Sequence, residues 1–401
     1  MTTQLLVISD THLGYRQYQS NQRREDFAAA FDEAIDIALG EHPRVNDTVD
    51  AVVHLGDLFD DRSPSTGTFE KCLETTSRLS DADVPFLGII GNHERKRDTD
   101  WLDLMTRLNE SVTHLTQTGT IVNEEVILYG IDAVTDAQWG THDFTLTPPT
   151  GAVADEYVNI ACMHQLFHPP IPNPLAAEHE LEPLLPELDV PVDSIAIGDY
   201  HDHVSKTVEG VRTFYPGSTE RTAKGQEQGS ATLLTADAGS MPPIVTEPIW
   251  LNSREFVSQT VTFGVGDGLT EAKQRLSDIR PDGRVVTVQL EGEPVPVGKE
   301  QLQTYLYNQG ATVVRITDNR HAPSVSTAKE QSAAVTETDS KQALEDAIED
   351  VQLSPTGEII EDTVRNTDGV AKSNVDAEAQ EILQEQFTDK FEANDLGGVF
   401  Q

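Results

Sequence analysis

The chain has 401 residues, with 28 Lys or Arg against 68 Asp or Glu, and so a net charge of −40. That surplus neither supports nor opposes a polyanionic partner; it suits a protein working in concentrated salt, where the Debye length is about 3 Å at 1 M and surface self-repulsion is screened. Apolar residues make up 37% of the chain and fall in long periodic segments, which excludes a wholly disordered acidic chain over the first three quarters.

From residue 4 to about 235, short apolar runs alternate with helical patterns. QLLVIS, DAVVHLG, PFLGIIG, VILYGI, VNIACMH and SIAIG each end in a polar or glycine turn and are predicted strands. Between the first two, EDFAAAFDEAIDIAL places Phe27, Phe31 and Ile35 on one helical face. DWLDLMTRLNE places Trp101, Leu104, Met105 and Leu108 on another. Strands alternating with helices imply a layered α/β core. Cys72 falls in a predicted helix and Cys162 in a predicted strand, too isolated for a disulfide framework or a zinc site. The opening MTTQLLVISD enters a strand at once, and no apolar run is long enough to cross a membrane. A soluble cytoplasmic protein is expected.

Beyond residue 250 the pattern changes. REFVSQTVTF, RVVTVQLEG and ATVVRIT are predicted strands, with TEAKQRLSDI and KEQLQTYLYNQ as helices. A small α+β unit over 245–320 is therefore expected to follow a main domain over 1–240. Residues 321–340 have the Ser, Thr, Ala and acidic composition of a linker. An acidic tail, 341–401, ends in AQEILQEQFTDKFEAN, where Leu383, Phe387 and Phe391 form a helical stripe suited either to the body of the protein or to a partner.

The chemistry-bearing residues follow strand ends. They are Asp10-x-His12, Gly56-Asp57-Leu58-Phe59-Asp60, Gly91-Asn92-His93-Glu94, His164-Gln165 and the stretch AIGDYHDHV over 196–204. Each alone is an ordinary polar turn. Five in succession, each after a strand, point to a metal edge, because ligands in α/β folds gather outside such ends. Hydrolysing a phosphodiester requires a hydroxide nucleophile and relief of phosphoryl charge, which two divalent ions about 3.5–4 Å apart supply. Asp57, in the central box, is the natural bridging carboxylate. Asn92 offers a neutral oxygen, and imidazole with carboxylate suits manganese, iron or zinc. His93 can act on the leaving oxygen or orient the phosphate. Asp60 and Gln165 can hold the ligands. Arg95, Lys96 and Arg97 form a basic triplet beside His93 that can serve as phosphate contacts or as a solvated turn. His54 is expected to be a satisfied core group or to support a ligand from behind, and His168 to be structural.

This set resembles the calcineurin-like metallophosphoesterase superfamily. THLGYRQYQSNQRREDFAAAFDEAI, HLGDLFDDRSPS, IIGNHE, CMHQ and FYPGSTERTAKGQE further resemble the double-strand-break repair nucleases of the meiotic-recombination-eleven (Mre-eleven) type, relatives of the SbcCD nuclease subunit. The acidic composition adds a haloarchaeal character. The resemblance implies a four-layer β-sandwich flanked by helices, a capping domain that helps bind DNA, and a homodimer built on the Trp101–Leu108 helix and its neighbour. It implies two Mn2+ per chain: Asp10, His12, Asp57 and His201 on one, Asp57, Asn92, His164 and Asp199 on the other, with His93 catalytic. It implies exonuclease action on duplex ends and endonuclease action on single strands. The C-terminal helix would dock on an SMC-like ATPase of the Rad-fifty type. A generic small-molecule phosphodiesterase and a DNA-end tethering scaffold with weak catalysis are the alternatives.

One departure leaves two registers open. The family has Gly-His-x-His where this chain reads Gly198-Asp199-Tyr200-His201-Asp202-His203. Alignment on the glycine makes Asp199 and His201 the ligands. Alignment on the His-x-His pair makes them His201 and His203. The strand SIAIG favours the first, because a two-residue slip moves side chains by about 6–7 Å.

Overall fold

The protein is described by a computed structural model covering residues 2–320, apart from 44, 96–98 and 227. Two six-stranded sheets face each other. In the first, Thr3–Ile8, Ala51–His54, Phe86–Gly88 and Val112–His114 run parallel. Ser230–Ala236 and Ile244–Trp250 extend it in antiparallel sense from the Thr3–Ile8 side. In the second, Val211–Tyr215, Ser194–Gly198, Val158–His164 and Val126–Ile131 run parallel, edged by Val204–Val208 and Thr120–Val122.

The period of two along each strand divides its side chains between two cores. From the first strand, Leu5 and Val7 point inward to meet Leu128, Ile160, Cys162 and Phe214 between the sheets. Leu6 and Ile8 point outward onto Phe31, Ile35, Cys72 and Leu79, contributed by the helices Asn21–Ala38 and Thr66–Asp81. Phe27, Phe31 and Ile35 are all fully buried. Beyond the second sheet, loops and short helical turns bury Tyr129, Met163, Phe167 and Leu181. Cys72 and Cys162 are buried free thiols in separate cores.

The helix Trp101–Leu108 turns differently from its apolar pattern. Leu102 and Met105 face the core, whereas Leu108 is 59% exposed. Its Trp101 is half-buried against Phe59 and Phe69 while the indole N–H donates to the Arg62 carbonyl.

Strand Ile244–Trp250 belongs to the first sheet, so the smaller unit's own sheet begins at Phe256 and not near 245. Its strands Phe256–Phe263, Val285–Gly292 and Val313–Asp318 are parallel. The helices Leu269–Arg275 and Lys299–Asn308 lie between them in sequence, so helices and strands alternate. Val261, Val288, Leu290, Leu302 and Leu306 form a separate apolar core. The linker and the tail, with Leu383, Phe387 and Phe391, lie outside the described residues, as do Lys96 and Arg97. Among the described residues no helix is long and apolar enough to cross a membrane.

Strand register sets the functional edge. Ile8 pairs with His54 and His54 with Gly88, so the loops carrying Asp10, Asp57 and Asn92 leave the first sheet side by side. Gly198 pairs with His164, which places His164 next to Asp199 at the same edge of the second sheet.

Candidate metal centre

Four of the acids and histidines predicted from sequence sit in the left-handed region of φ: Asp10 at 52°, His12 at 41°, Asp57 at 55° and Asp199 at 85°. Each such residue costs about 1–2 kcal/mol relative to ordinary backbone, and Asp and His tolerate it better than most. The sharp turn brings each side chain back over the strand ends. Gly198 is needed there too, since a Cβ would fall 2.6 Å from His164 Nδ1.

Asp10, His12 and His201 converge first. His12 Nε2 lies 3.3 Å from His201 Nε2, and Asp10 Oδ1 lies 3.9 Å from the former and 3.6 Å from the latter. Asp57 and His164 form the neighbouring group with Asp10. His164 Nε2 is 3.5 Å from Asp57 Oδ2 and 3.8 Å from Asp199 Oδ1. Asn92 is exposed and lines a cleft of about 230 Å³ with His164, Asp199, Gln165, Arg95 and Arg62. His203 is not brought to the cluster: its ring lies edge-on to Trp250.

Hydrogen bonds fix which ring nitrogens face the cluster. His164 Nδ1 donates to the Leu55 carbonyl at 2.6 Å, so its Nε2 presents a lone pair when the ring is neutral. His201 Nδ1 meets Thr222 Oγ1 at 2.6 Å. The Thr222 hydroxyl donates to Gln226 Oε1, so it must accept from His201, which leaves His201 Nε2 free to ligate. His93 Nδ1 donates to the Asp60 carbonyl at 2.9 Å, and its Nε2 faces Asp57 Oδ2 at 3.9 Å. His93 is exposed, unlike the buried His12 and His164.

Buried Asp10 Oδ1 and His164 Nε2 have no hydrogen-bond partner. Polar atoms left in that state cost free energy unless something compensates them. The surrounding charges say what that is. Burial pushes His164 down, but Asp57, Asp199 and Asp10 outweigh it and hold the ring well above its ordinary pKa. His201 is likewise pushed down by burial and raised overall by Asp10. Burial pushes Asp10 and Asp57 up, yet the neighbouring imidazoles leave both below the usual range. Burial, as the largest cause, raises Asp199 to about 6 and lowers His12 to about 4. Three carboxylates and three imidazoles meet at this point, and the carboxylates favour positive charge there. A divalent ion fits that point, by charge and by the mixed N/O donor set.

Of the remaining predicted residues, Asp60 approaches a candidate ligand, while Gln165 and Arg95 line the cleft beside the cluster. Asp60 Oδ1 lies 3.6 Å from His12 Nδ1. Gln165 accepts from Val134 N and donates to Glu178. Arg95 donates to the Ala133 carbonyl at the cleft wall. His54 is buried against Thr11, directly behind the turn that carries Asp10 and His12, and His168 pairs with Glu180.

Sequence reasoning assigned no role to Glu94, Thr222 or Gln226. Glu94 is buried and accepts from the backbone N–H groups of Leu58, Phe59 and Gly91, lacing two ligand loops together. Burial, with Asp57 nearby, pushes its carboxyl up to about 8. Glu94 stands in the GNHE box and Thr222 in the TERTAKG box, so each was in view. Neither follows a spacing rule that would have singled it out.

A calcineurin-like phosphoesterase family model matches residues 3–203. The DNA double-strand break repair protein Mre11 of Haloferax volcanii is 32% identical over 96% of this chain and 82% of its own length. That of Halobacterium salinarum is 30% identical over 94% and 93%. This chain belongs to the Mre11 family. Within the calcineurin-like phosphoesterases, the Mre11-family chain is a metal-dependent phosphodiester hydrolase, and residue groups able to hold a divalent ion lie at the edge described above. Both relatives come from salt-loving archaea, in keeping with the acidic composition.

Proposed function

We propose that this chain is a manganese-dependent DNA nuclease of double-strand break repair, an exonuclease on duplex ends and an endonuclease on single strands. In this reading Asp10, His12, Asp57 and His201 hold one Mn2+, and Asp57, Asn92, His164 and Asp199 hold the second. When bound, two such ions neutralise phosphate charge and make a hydroxide nucleophile accessible at neutral pH. His93 is the catalytic residue. Its Nδ1 is tied to the Asp60 carbonyl, which leaves Nε2 to protonate the leaving oxygen or orient the phosphate. Arg95 supplies positive charge at the cleft wall for a neighbouring phosphate, in a chain poor in bases. The unit from Phe256 to Asp318 serves as a cap against DNA. The exposed Leu108 end of its helix contributes to a homodimer. The tail over 341–401 docks on an SMC-like ATPase of the Rad-fifty type.

The observation that carries the catalytic part is the pair of buried, unpartnered ligand atoms, Asp10 Oδ1 and His164 Nε2, at the edge where both sheets end. The DNA substrate is supported by the Mre11 relatives, which are named for double-strand break repair. The test compares manganese-dependent cleavage of linear duplex DNA with that of a small chromogenic phosphodiester, in high salt. Equal or better turnover of the small ester, with no cut DNA, sinks the nuclease reading. His93→Asn separates the roles: cleavage should disappear while two manganese ions per chain remain. Loss of one ion would make His93 a ligand.

A further inference from the structure

Arg23 is the largest fully buried side chain among the described residues, and the catalytic chemistry makes no use of it. A buried guanidinium is expensive unless every face of it is paired. Here Nε donates to Gln17 Oε1 at 2.8 Å and Nη1 to Asp26 at 2.8 Å. Nη2 donates to Glu220 at 3.2 Å and to the Arg221 carbonyl at 2.7 Å. Its partners lead in two directions.

Toward the metal centre, the Gln17 amide held by Arg23 donates to the Thr222 carbonyl. The Thr222 hydroxyl is the acceptor for His201 Nδ1. Gln226 closes the ring of contacts, accepting from Thr222 N and donating to the His201 carbonyl at 2.8 Å. Toward the smaller unit, Asp26 receives both Nε and Nη2 of Arg254, each at 2.5 Å. Arg254 Nη1 reaches across to the Gly283 carbonyl and to Thr312. Glu220 accepts from Arg254 N at 3.4 Å as well as from Arg23. The Arg23 guanidinium also lies 5.5 Å from the ring centroid of Phe256, the first residue of the smaller unit's sheet.

We propose that Arg23 is a positioning residue for His201, and that through Asp26 and Arg254 it ties the orientation of this imidazole to the seating of the smaller unit. The proposal rests on the assignment of His201 to a manganese site. Six side chains, those of His201, Thr222, Gln17, Arg23, Asp26 and Arg254, with the Thr222 carbonyl as one link, make a continuous path from a metal-facing ring to the backbone at Gly283. A shift of that unit would move Arg254, then Asp26 and Arg23, and so the loop that sets the His201 ring plane. Polar partners of this kind behind a ligating histidine are worth about 10–100-fold in metal affinity.

The test is a stepwise Mn2+ titration of the full chain, without DNA, read by electron paramagnetic resonance and calorimetry. Thr222→Val should weaken one of two sites by about 10–100-fold and spare the other. Arg254→Met, far from any ligand, should weaken the same site by about 3- to 30-fold, the usual range for mutations that modulate coupling between sites. The double variant should be no weaker than Thr222→Val alone, because both cut one path. Arg284→Met is the control: it removes a charge paired with Glu255 in the same unit but off the path, and should change neither site. If Arg254→Met does not fold, Asp26→Asn takes its place with the same expectation. Wild-type affinity in the Arg254 variant, or additive losses in the double variant, would overturn the link to the smaller unit. An unselective effect of Thr222→Val would overturn the positioning of His201. Failure of the wild-type chain to bind Mn2+ would instead count against the manganese assignment itself.

Discussion

The sandwich and the smaller unit bury very different things. The sandwich encloses Asp10, His12, Arg23, His54, Asp57, Glu94, His164 and Glu220, and it bends several of these backbones into the left-handed region. The smaller unit, from Phe256 to Asp318, buries no polar or charged side chain among the described residues. Its interior is Val, Leu, Ile, Ala and Phe over a three-stranded sheet. Two folding problems are being solved. The smaller unit maximises apolar burial. The sandwich gives up part of that stability to hold mutually repelling groups at one sheet edge, as functional sites commonly do.

The largest test of this contrast is Asp57→Ala. Cleavage should fall by about 10³-fold, the upper end for one electrostatic group in an active site. The melting temperature of the metal-free protein should change little, because relief from the neighbouring carboxylates is offset by the loss of Asp57's contacts with His164 and the His93 N–H. A large loss of stability would mean that Asp57 holds the fold together. In the smaller unit the reverse holds. Leu302→Ala removes a fully buried side chain and should cost about 2–5 kcal/mol in denaturant unfolding, with manganese affinity of the sandwich unchanged.

The next test resolves the edge itself. Asp199→Ala should weaken one manganese site and remove most activity, whereas His203→Ala should do little and Asp199→His should keep the metal. The opposite ranking for the two alanine variants would show that the His-x-His register governs.

The smallest effect lies at the rim of the first sheet. His114 Nε2 lies 3.0 Å from an Asp132 oxygen that also accepts from Ile90 N. Burial pushes the His114 imidazole down, but Asp132 and Asp103 outweigh it and hold the ring at about 9. A histidine raised on folding contributes stability that is complete below its ordinary value of about 6.5 and is lost as pH climbs through about 9. With solvent screening of this half-exposed pair, about 1–2 kcal/mol should disappear across that window. His114→Gln should abolish the pH dependence. Urea unfolding at pH 6 and pH 10 compares the two proteins, and equal slopes would remove His114 from the account.

Much of this was legible in the chain. Short continuous apolar runs announced the strands, and i, i+4, i+8 spacing announced the buried face of Phe27, Phe31 and Ile35. Asp10, His12, Asp57, Asn92, His93, His164 and Asp199 were visible because each follows a strand end, where α/β folds collect ligands. The Trp101–Leu108 helix was harder. Its apolar residues occupy more than one face, and only contact with the first sheet selected Leu102 and Met105 for the core.

What sequence alone determined, then, was which residues leave the sheets at one edge, because local periodicity and turn chemistry act over a few residues. Tertiary structure decided how they meet. The pairing of Gly198 with His164 set Asp199 beside that ring and sent His203 toward Trp250. Thr222, distant in sequence from His201, came to carry its Nδ1 bond. Arg23 found Glu220 and, through Asp26, Arg254. No spacing rule reaches such pairs, because their separation along the chain is set by loop lengths, while their contact follows from burying charged groups that must be paired once water is excluded.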